Sequence, residues 1–276
     1  MSLTLSADYR GMAMTDTPSP PRPPEELPML APCHDVAADA PLRWMQRGWA
    51  DLRAAPRQSL LFGVMTVVLS YLVTAATWVY GNIGLYLGLV SGFVFVAPLL
   101  ALTVYAISLQ LERGRPPSLR RSLRSAVQSL RGAMFFAVIL VIVLLVWARA
   151  ANTLYIFFPD TADPALADLV LFLGIGSVVG ALFSLVVFAA SAFSLPMLVE
   201  RRTDAITAVV TSVNAVLRNK RTMLVWALMI AACVAVAIVT AWLAFVVLMP
   251  LLGHATWHAY RETIDASEWP LLEQEA

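Results

Sequence analysis

Ser118–Arg131, SLRRSLRSAVQSLR, lies between two apolar runs that are each long enough to cross a bilayer. Leu119, Leu123, Val127 and Leu130 recur at helical spacing, and Arg120, Arg121, Arg124 and Arg131 fill the other faces. A helix with one apolar stripe and a strongly basic remainder lies in the plane of a membrane surface. Pro116, Pro117 and Ser118 supply its start signal. Arg120, Arg121 and Arg124 are placed to meet anionic lipid headgroups, each contributing about 1 kcal/mol near a charged surface.

Outward from this stretch the pattern repeats. Leu42–Leu52, LRWMQRGWADL, puts Leu42, Met45, Trp49 and Leu52 on one helical face, and Trp44 and Trp49 suit headgroup depth. Thr203–Leu217 lines Ile206, Val209, Val210, Val213 and Leu217 along another, with Thr203 or Asp204 as cap. Each surface helix precedes an apolar block. Leu60–Tyr80 matches the ~20 residues that span a ~30 Å hydrocarbon core, and Leu85–Leu111 returns after the turn Gly81–Gly84. Pro98 should kink that second span. Gly132–Phe158, interrupted at Arg149, and Leu169–Leu195 form the second pair, and Gly174, Gly176 and Gly180 would allow close helix approach. Thr222–Tyr260 has 39 residues, nearly twice the bilayer thickness at ~1.5 Å per residue, and is split near Thr240–Trp242. The expectation is an all-α polytopic membrane protein with six transmembrane helices as three hairpins, each preceded by an amphipathic surface helix. Five spans, with the last run unbroken, is the alternative.

Composition agrees, with 59% hydrophobic and 13% charged residues, far from a soluble domain. Residues 1–41, with the proline-rich SPPRPPEELP, read as a disordered cytoplasmic tail, 42–262 as the six-helix membrane domain, and 263–276 as an acidic cytoplasmic tail. Cys33 and Cys233, in the tail and in an apolar run, imply no disulfide framework. With six spans every Lys and Arg except Arg149 falls on one side. Basic residues are retained in the cytoplasm during insertion, so both termini should be cytoplasmic.

Two constellations could carry chemistry. His254 and His258 stand at i and i+4 on one face of the last helix, a spacing that can hold a metal, and Glu262 extends the stripe. A second helix or a second copy of the chain would have to complete such a site. The bland alternative is packing or interfacial hydrogen bonding. Arg149 is costly at membrane depth, where a central Arg costs ~2.5–3.5 kcal/mol. It can snorkel outward or pair with Asp160 or Asp163, and it could also bind an anionic solute or lipid. No nucleotide-binding loop, zinc-protease motif or Gly-x-Ser-x-Gly elbow is present, so catalysis is not expected. No basic groove with interleaved aromatics points to nucleic acid.

Several stretches resemble a bacterial integral membrane family known as domain of unknown function 2189. They are Ala40–Leu52, Val96–Ala101 (VAPLLA), Leu111–Gly114 (LERG), Ser194–Leu198 (SLPML), Thr207–Ser212 (TAVVTS) and Pro250–Arg261 (PLLGHATWHAYR), the last being the most specific. The resemblance covers about residues 40–262 and implies a multi-pass protein of the bacterial cytoplasmic (inner) membrane. Some relatives are labelled putative cytochrome c oxidase subunit, which implies haem or copper nearby. The leading expectation is a non-catalytic partner-binding or assembly protein in the lipid bilayer, associated with a larger membrane complex. The alternatives are a small-solute transporter or channel, and a haem- or copper-linked respiratory accessory subunit.

Overall fold

The computed structural model describes residues 27–80, 100–155 and 166–272. Its helices are α1 (Ala40–Ala54), α2 (Pro56–Tyr80), α3 (described over Leu100–Glu112), α4 (Leu119–Gln128), α5 (Leu130–Tyr155), α6 (Leu166–Ser191), α7 (Ser194–Glu200), α8 (Ala205–Arg218), α9 (Lys220–Val239) and α10 (Phe245–Thr263). Among the described residues only two isolated bridges have β geometry. Four helical stretches are long and apolar enough to cross a membrane, namely Pro56–Ala76, Gly132–Ala150, Val170–Glu200 and Lys220–Val239, with mean hydropathy between 2.0 and 2.6. Their outer faces carry exposed Leu72, Ile142, Leu173, Leu182 and Leu228. Such a surface is stable only in a hydrocarbon environment. The Gly81 turn, Pro98 and the first part of the second span lie outside the described residues.

Local chemistry sets the boundaries. Proline opens α2, where its missing N–H costs nothing. α3 closes on Gly114, whose φ of 64° lets Arg115 N–H reach back to Gln110 C=O at 2.9 Å. Asp204 caps α8, its Oδ1 accepting the Ile206 and Thr207 N–H groups at 2.9 Å each. α5 runs unbroken through Arg149, which is exposed on it; an arginine there disturbs solvation and not the backbone ladder. The long C-terminal run does break. α9 stops at Val239, and Ala241 and Trp242 take φ of 48° and 69°. Two non-glycine residues in that region are strained, and bonds hold them there. Trp242 N–H donates to Ala237 C=O at 2.6 Å, and Tyr71 Oη donates to Ala241 C=O at 2.5 Å. Tyr71 lies nine residues before the end of α2, so the α9–α10 hairpin is shorter than α2.

α4 and α8 have mostly small or hydroxylated inner faces. α4 buries Ser122, Ser125 and Ala126, and α8 buries Ala205, Thr207, Ala208, Thr211, Ser212, Ala215 and Val216. Their bulky apolar side chains point away from the protein, with Leu123 48%, Val127 64%, Ile206 61% and Leu217 56% exposed. This is the orientation of helices lying against lipid. Trp44 is fully buried, edge-on to Trp226 at 5.7 Å, and so packs against protein and not lipid.

The described parts of both expected tails are bonded to the bundle. Within 1–41, residues 31–36 follow a fixed path. Ala31 N–H donates to Thr211 Oγ1 at 3.1 Å, Val36 N–H to Asn219 Oδ1 at 2.8 Å, and Thr222 Oγ1 to Val36 C=O at 2.8 Å. Proline-rich composition removes helix, but it leaves backbone groups that side chains on α8 and α9 can satisfy. Within 263–276, Ile264 and Trp269 are buried, and Arg202 N–H donates to Pro270 C=O at 2.8 Å. The two ends also meet each other. His34 N–H donates to Thr263 C=O and Asp265 N–H to Pro32 C=O, at 2.8 and 2.9 Å.

Candidate functional site

The inner half of α10 is where the elements converge. α10 can reach them because three glycines let backbones approach. A Cβ on Gly48 of α1 would come within 2.7 Å of Ala255 N, and one on Gly63 of α2 would strike the backbone of Val246. On α10 itself a Cβ at Gly253 would meet Val104 Cγ1 of α3 at 2.7 Å. Gly174, Gly176 and Gly180 instead face open space.

Successive polar side chains of α10 reach α3 and α7. Trp257 Nε1 donates to Glu112 Oε2 at 2.8 Å. Tyr260 Oη donates to Glu200 Oε2 at 2.6 Å, while Arg261 donates to Glu200 Oε1 at 2.8 Å and to Glu112 Oε1 at 3.0 Å. Glu200 is buried. Glu262, one turn beyond His258, faces α1 as His258 does but takes other partners. Its carboxylate accepts Arg43, Trp44 Nε1 and Arg47 from α1 at 2.8, 3.1 and 3.3 Å.

His254 and His258 do share a face, and a carboxylate and two hydroxyls join them into one chain. Ser59 Oγ lies 2.8 Å from His254 Nε2, and Ser108 Oγ lies 2.7 Å from His254 Nδ1. Ser108 Oγ donates to Asp51 Oδ2 at 2.8 Å, and His258 Nε2 is 2.9 Å from the same oxygen. Counting protons fixes the directions. The single hydroxyl proton of Ser108 goes to Asp51, so Ser108 Oγ accepts from Nδ1–H of His254. Neutral His254 then has a lone pair on Nε2, which accepts the Ser59 hydroxyl. Every donor in the run Ser59, His254, Ser108 points toward Asp51. Ser59, Ser108 and His254 are at most 1% exposed, whereas Asp51 and His258 reach the surface with side chains 16% and 20% exposed.

The order invites comparison with a nucleophilic Ser-His-Asp arrangement, but two features differ. Asp51 Oδ2 is 3.9 Å from His254 Nδ1 with Ser108 between them. Ser59 is wholly buried inside a helix, its own N–H bonded to Ala55 C=O, so no backbone donor beside it is free for an oxyanion. A metal or haem iron fits no better. Both ring nitrogens of His254 are held by serines, His258 Nε2 is held by Asp51, and among the described residues no three His, Cys, Asp or Glu side chains gather as a ligand set. Asp160 and Asp163, the expected partners of Arg149, lie outside the described residues.

Asp51, Ser59 and Ser108 were not singled out by sequence. Each is an ordinary polar residue on its own helix, and only the position of Asp51 four residues before the α1–α2 junction hints at a role.

Residues 85–200 match the family described as “Predicted integral membrane protein (DUF2189)”. The His254 stretch lies beyond that match. No curated protein and no solved structure matches the chain.

Proposed function

We propose that this chain, whose central part matches a family of predicted integral membrane proteins, is a non-catalytic partner-binding protein of the bacterial inner membrane with both termini in the cytoplasm. One observation carries the reading. The stretch richest in chemical groups, His254–Glu262, uses its polar side chains to lock α1, α3 and α7 together at the basic end of the bundle. Side chains committed in this way build a rigid platform and leave little to turn a substrate over. The membrane-embedded α6 supports the same reading, since none of the residues in its most apolar window is buried within the chain. In a larger membrane complex that face supplies contact area.

The basic end faces the cytoplasm by the charge asymmetry of the sequence. Arg120 and Arg124 are exposed on α4 beside Leu123 and Val127, which suits anionic headgroups above an apolar anchor. Arg121 is partly tied down, its Nη1 3.2 Å from Gln110 Oε1. The test is purification in mild detergent followed by mass spectrometry of associated proteins and elemental analysis. The reading expects a stoichiometric membrane partner and no metal. A solitary chain at every detergent concentration overturns it.

A further inference from the structure

At the basic end of the bundle α6, α8 and α9 enclose a groove of about 590 Å³. Buried Val216 and Met223 form its floor, and exposed Leu185, Val186, Leu217 and Leu224 form its rims. It follows α9 from Lys220, the first residue of that span, to Ala227, roughly 10 Å at ~1.5 Å per residue. Polar joints fix the walls. Ser212 Oγ of α8 donates to Ala189 C=O of α6 at 2.7 Å. Asn219, between α8 and α9, accepts Val36 N–H at 2.8 Å and donates to His34 C=O at 3.0 Å. Every residue lining the groove is apolar except Lys220. Lys220 is also the single lysine of the sequence, against eighteen arginines. Among the described residues no carboxylate pairs with it, whereas Arg218, two positions earlier, holds Asp35 at 2.7 Å. An ammonium on a flexible apolar stem at the mouth of an apolar slot matches a molecule with an anionic head and a hydrocarbon tail.

We infer that this groove holds one phospholipid with an anionic headgroup, its acyl chain over Val216 and Met223 and its phosphate against Lys220 Nζ. Basic pockets between membrane helices on the cytoplasmic side take lipids of this class. An apolar helix from another protein would cover the leucine rims but leave the ammonium of Lys220 unmatched. A lipid supplies the hydrocarbon and the counter-charge in one molecule, at the depth where Lys220 stands. The two parts of the site have separate tasks. The slot fixes where the chain lies, and the lysine selects anionic over zwitterionic headgroups.

The experiment releases the full chain from its membrane in mild detergent and weighs it intact by native mass spectrometry. One retained lipid per chain is expected, with the mass of a phosphatidylglycerol or a cardiolipin. Lys220→Gln removes the charge, and Ala227→Trp fills the slot with the charge kept. Each should retain at least about fivefold less lipid, the worth of one basic residue at an anionic surface. Arg53→Gln, which removes an exposed charge from α1 away from the groove, should retain the wild-type amount. Equal retention in Lys220→Gln overturns the inference, and so does a zwitterionic lipid or a protein chain in place of the anionic lipid. A second measurement uses the single lysine. An amine-directed reagent, read by peptide mass spectrometry, should label Lys220 at least about fivefold more slowly in vesicles containing phosphatidylglycerol than in phosphatidylcholine alone. Ala227→Trp should lose that difference. Equal labelling of wild type in the two vesicles, or a difference that survives in Ala227→Trp, overturns the site.

Discussion

Gly63→Ala adds one methyl where α2 crosses α10. Its Cβ would sit 2.6 Å from the Val246 carbonyl carbon and 2.8 Å from Val246 Cα, against 3.4–4 Å for ordinary contact. The atoms in the way are backbone, so no side chain can swing aside and the helices must part by roughly 1 Å. Ser59 is one turn before Gly63 on α2. A shift of that size stretches its 2.8 Å contact with His254 to about 3.8 Å, outside hydrogen-bonding range. Overpacking costs about 1–3 kcal/mol, and a stranded buried hydroxyl and ring nitrogen cost about 1–3 kcal/mol more. The sum, about 2–6 kcal/mol, corresponds to a fall in Tm on the order of 10 °C for a chain of this size. Tryptophan fluorescence during heating in detergent reads it directly, and Ser59→Ala separates the hydrogen bond from the packing. If Gly63→Ala melts within a degree of wild type, α2 and α10 do not approach as described.

Glu200→Gln keeps the shape but removes the charge facing Arg261 and Arg201 at 2.8 and 3.2 Å; a loss of about 3–5 kcal/mol is expected, and an unchanged melting curve would remove Glu200 from the buried framework. Asp204→Ala should cost about 1 kcal/mol through loss of the α8 cap, read as faster amide exchange in the first turn of α8. Burial alone would raise the Asp204 carboxyl, but hydrogen bonds from Thr207 and Ile206 hold it below its ordinary 3.8. Its contribution is therefore complete above the ordinary value and is lost as pH falls through the depressed one, so protection of α8 that stays constant down to pH 2 would contradict the cap. Asn219→Ala removes acceptor and donor for Val36 N–H and His34 C=O at 2.8 and 3.0 Å. Limited proteolysis should then cut before Ala40 several-fold faster, and equal cutting would show that the segment is held by other contacts.

Hydropathy is a local property, and the helices that depend on it were legible from residues alone. α2, α6 and α9 fall close to the expected spans, and the last apolar run breaks at Thr240–Trp242, where length demanded it. The surface helices were legible because Leu123 and Val127, or Ile206 and Val210, recur at helical spacing beside arginine or a capping aspartate. Tertiary partners were not. The i, i+4 spacing of His254 and His258 marks a shared face, but Ser59 and Asp51 are 195 and 207 residues away from the histidines they touch. Glycines misled in both directions. The cluster Gly174–Gly180 looks like a packing motif yet meets nothing, whereas Gly48 and Gly63 stand alone and hold the closest crossings. Proline content spoke against helix in residues 27–39, correctly, and said nothing of the hydroxyls and amides waiting on α8 and α9.

The pairing of α1 with α10 sets an order of assembly. Arg43 and Glu262 are 219 residues apart, which at ~5–20 residues per second is roughly 10–45 s of synthesis. Throughout that interval α1 has left the ribosome while the surface it will cover does not exist. Leu42 and Trp49, still exposed in the finished protein, give the waiting helix a hold on the leaflet. Gly48 stays unspent until the final helix arrives, so the earliest of the described helices to be translated completes its docking among the last.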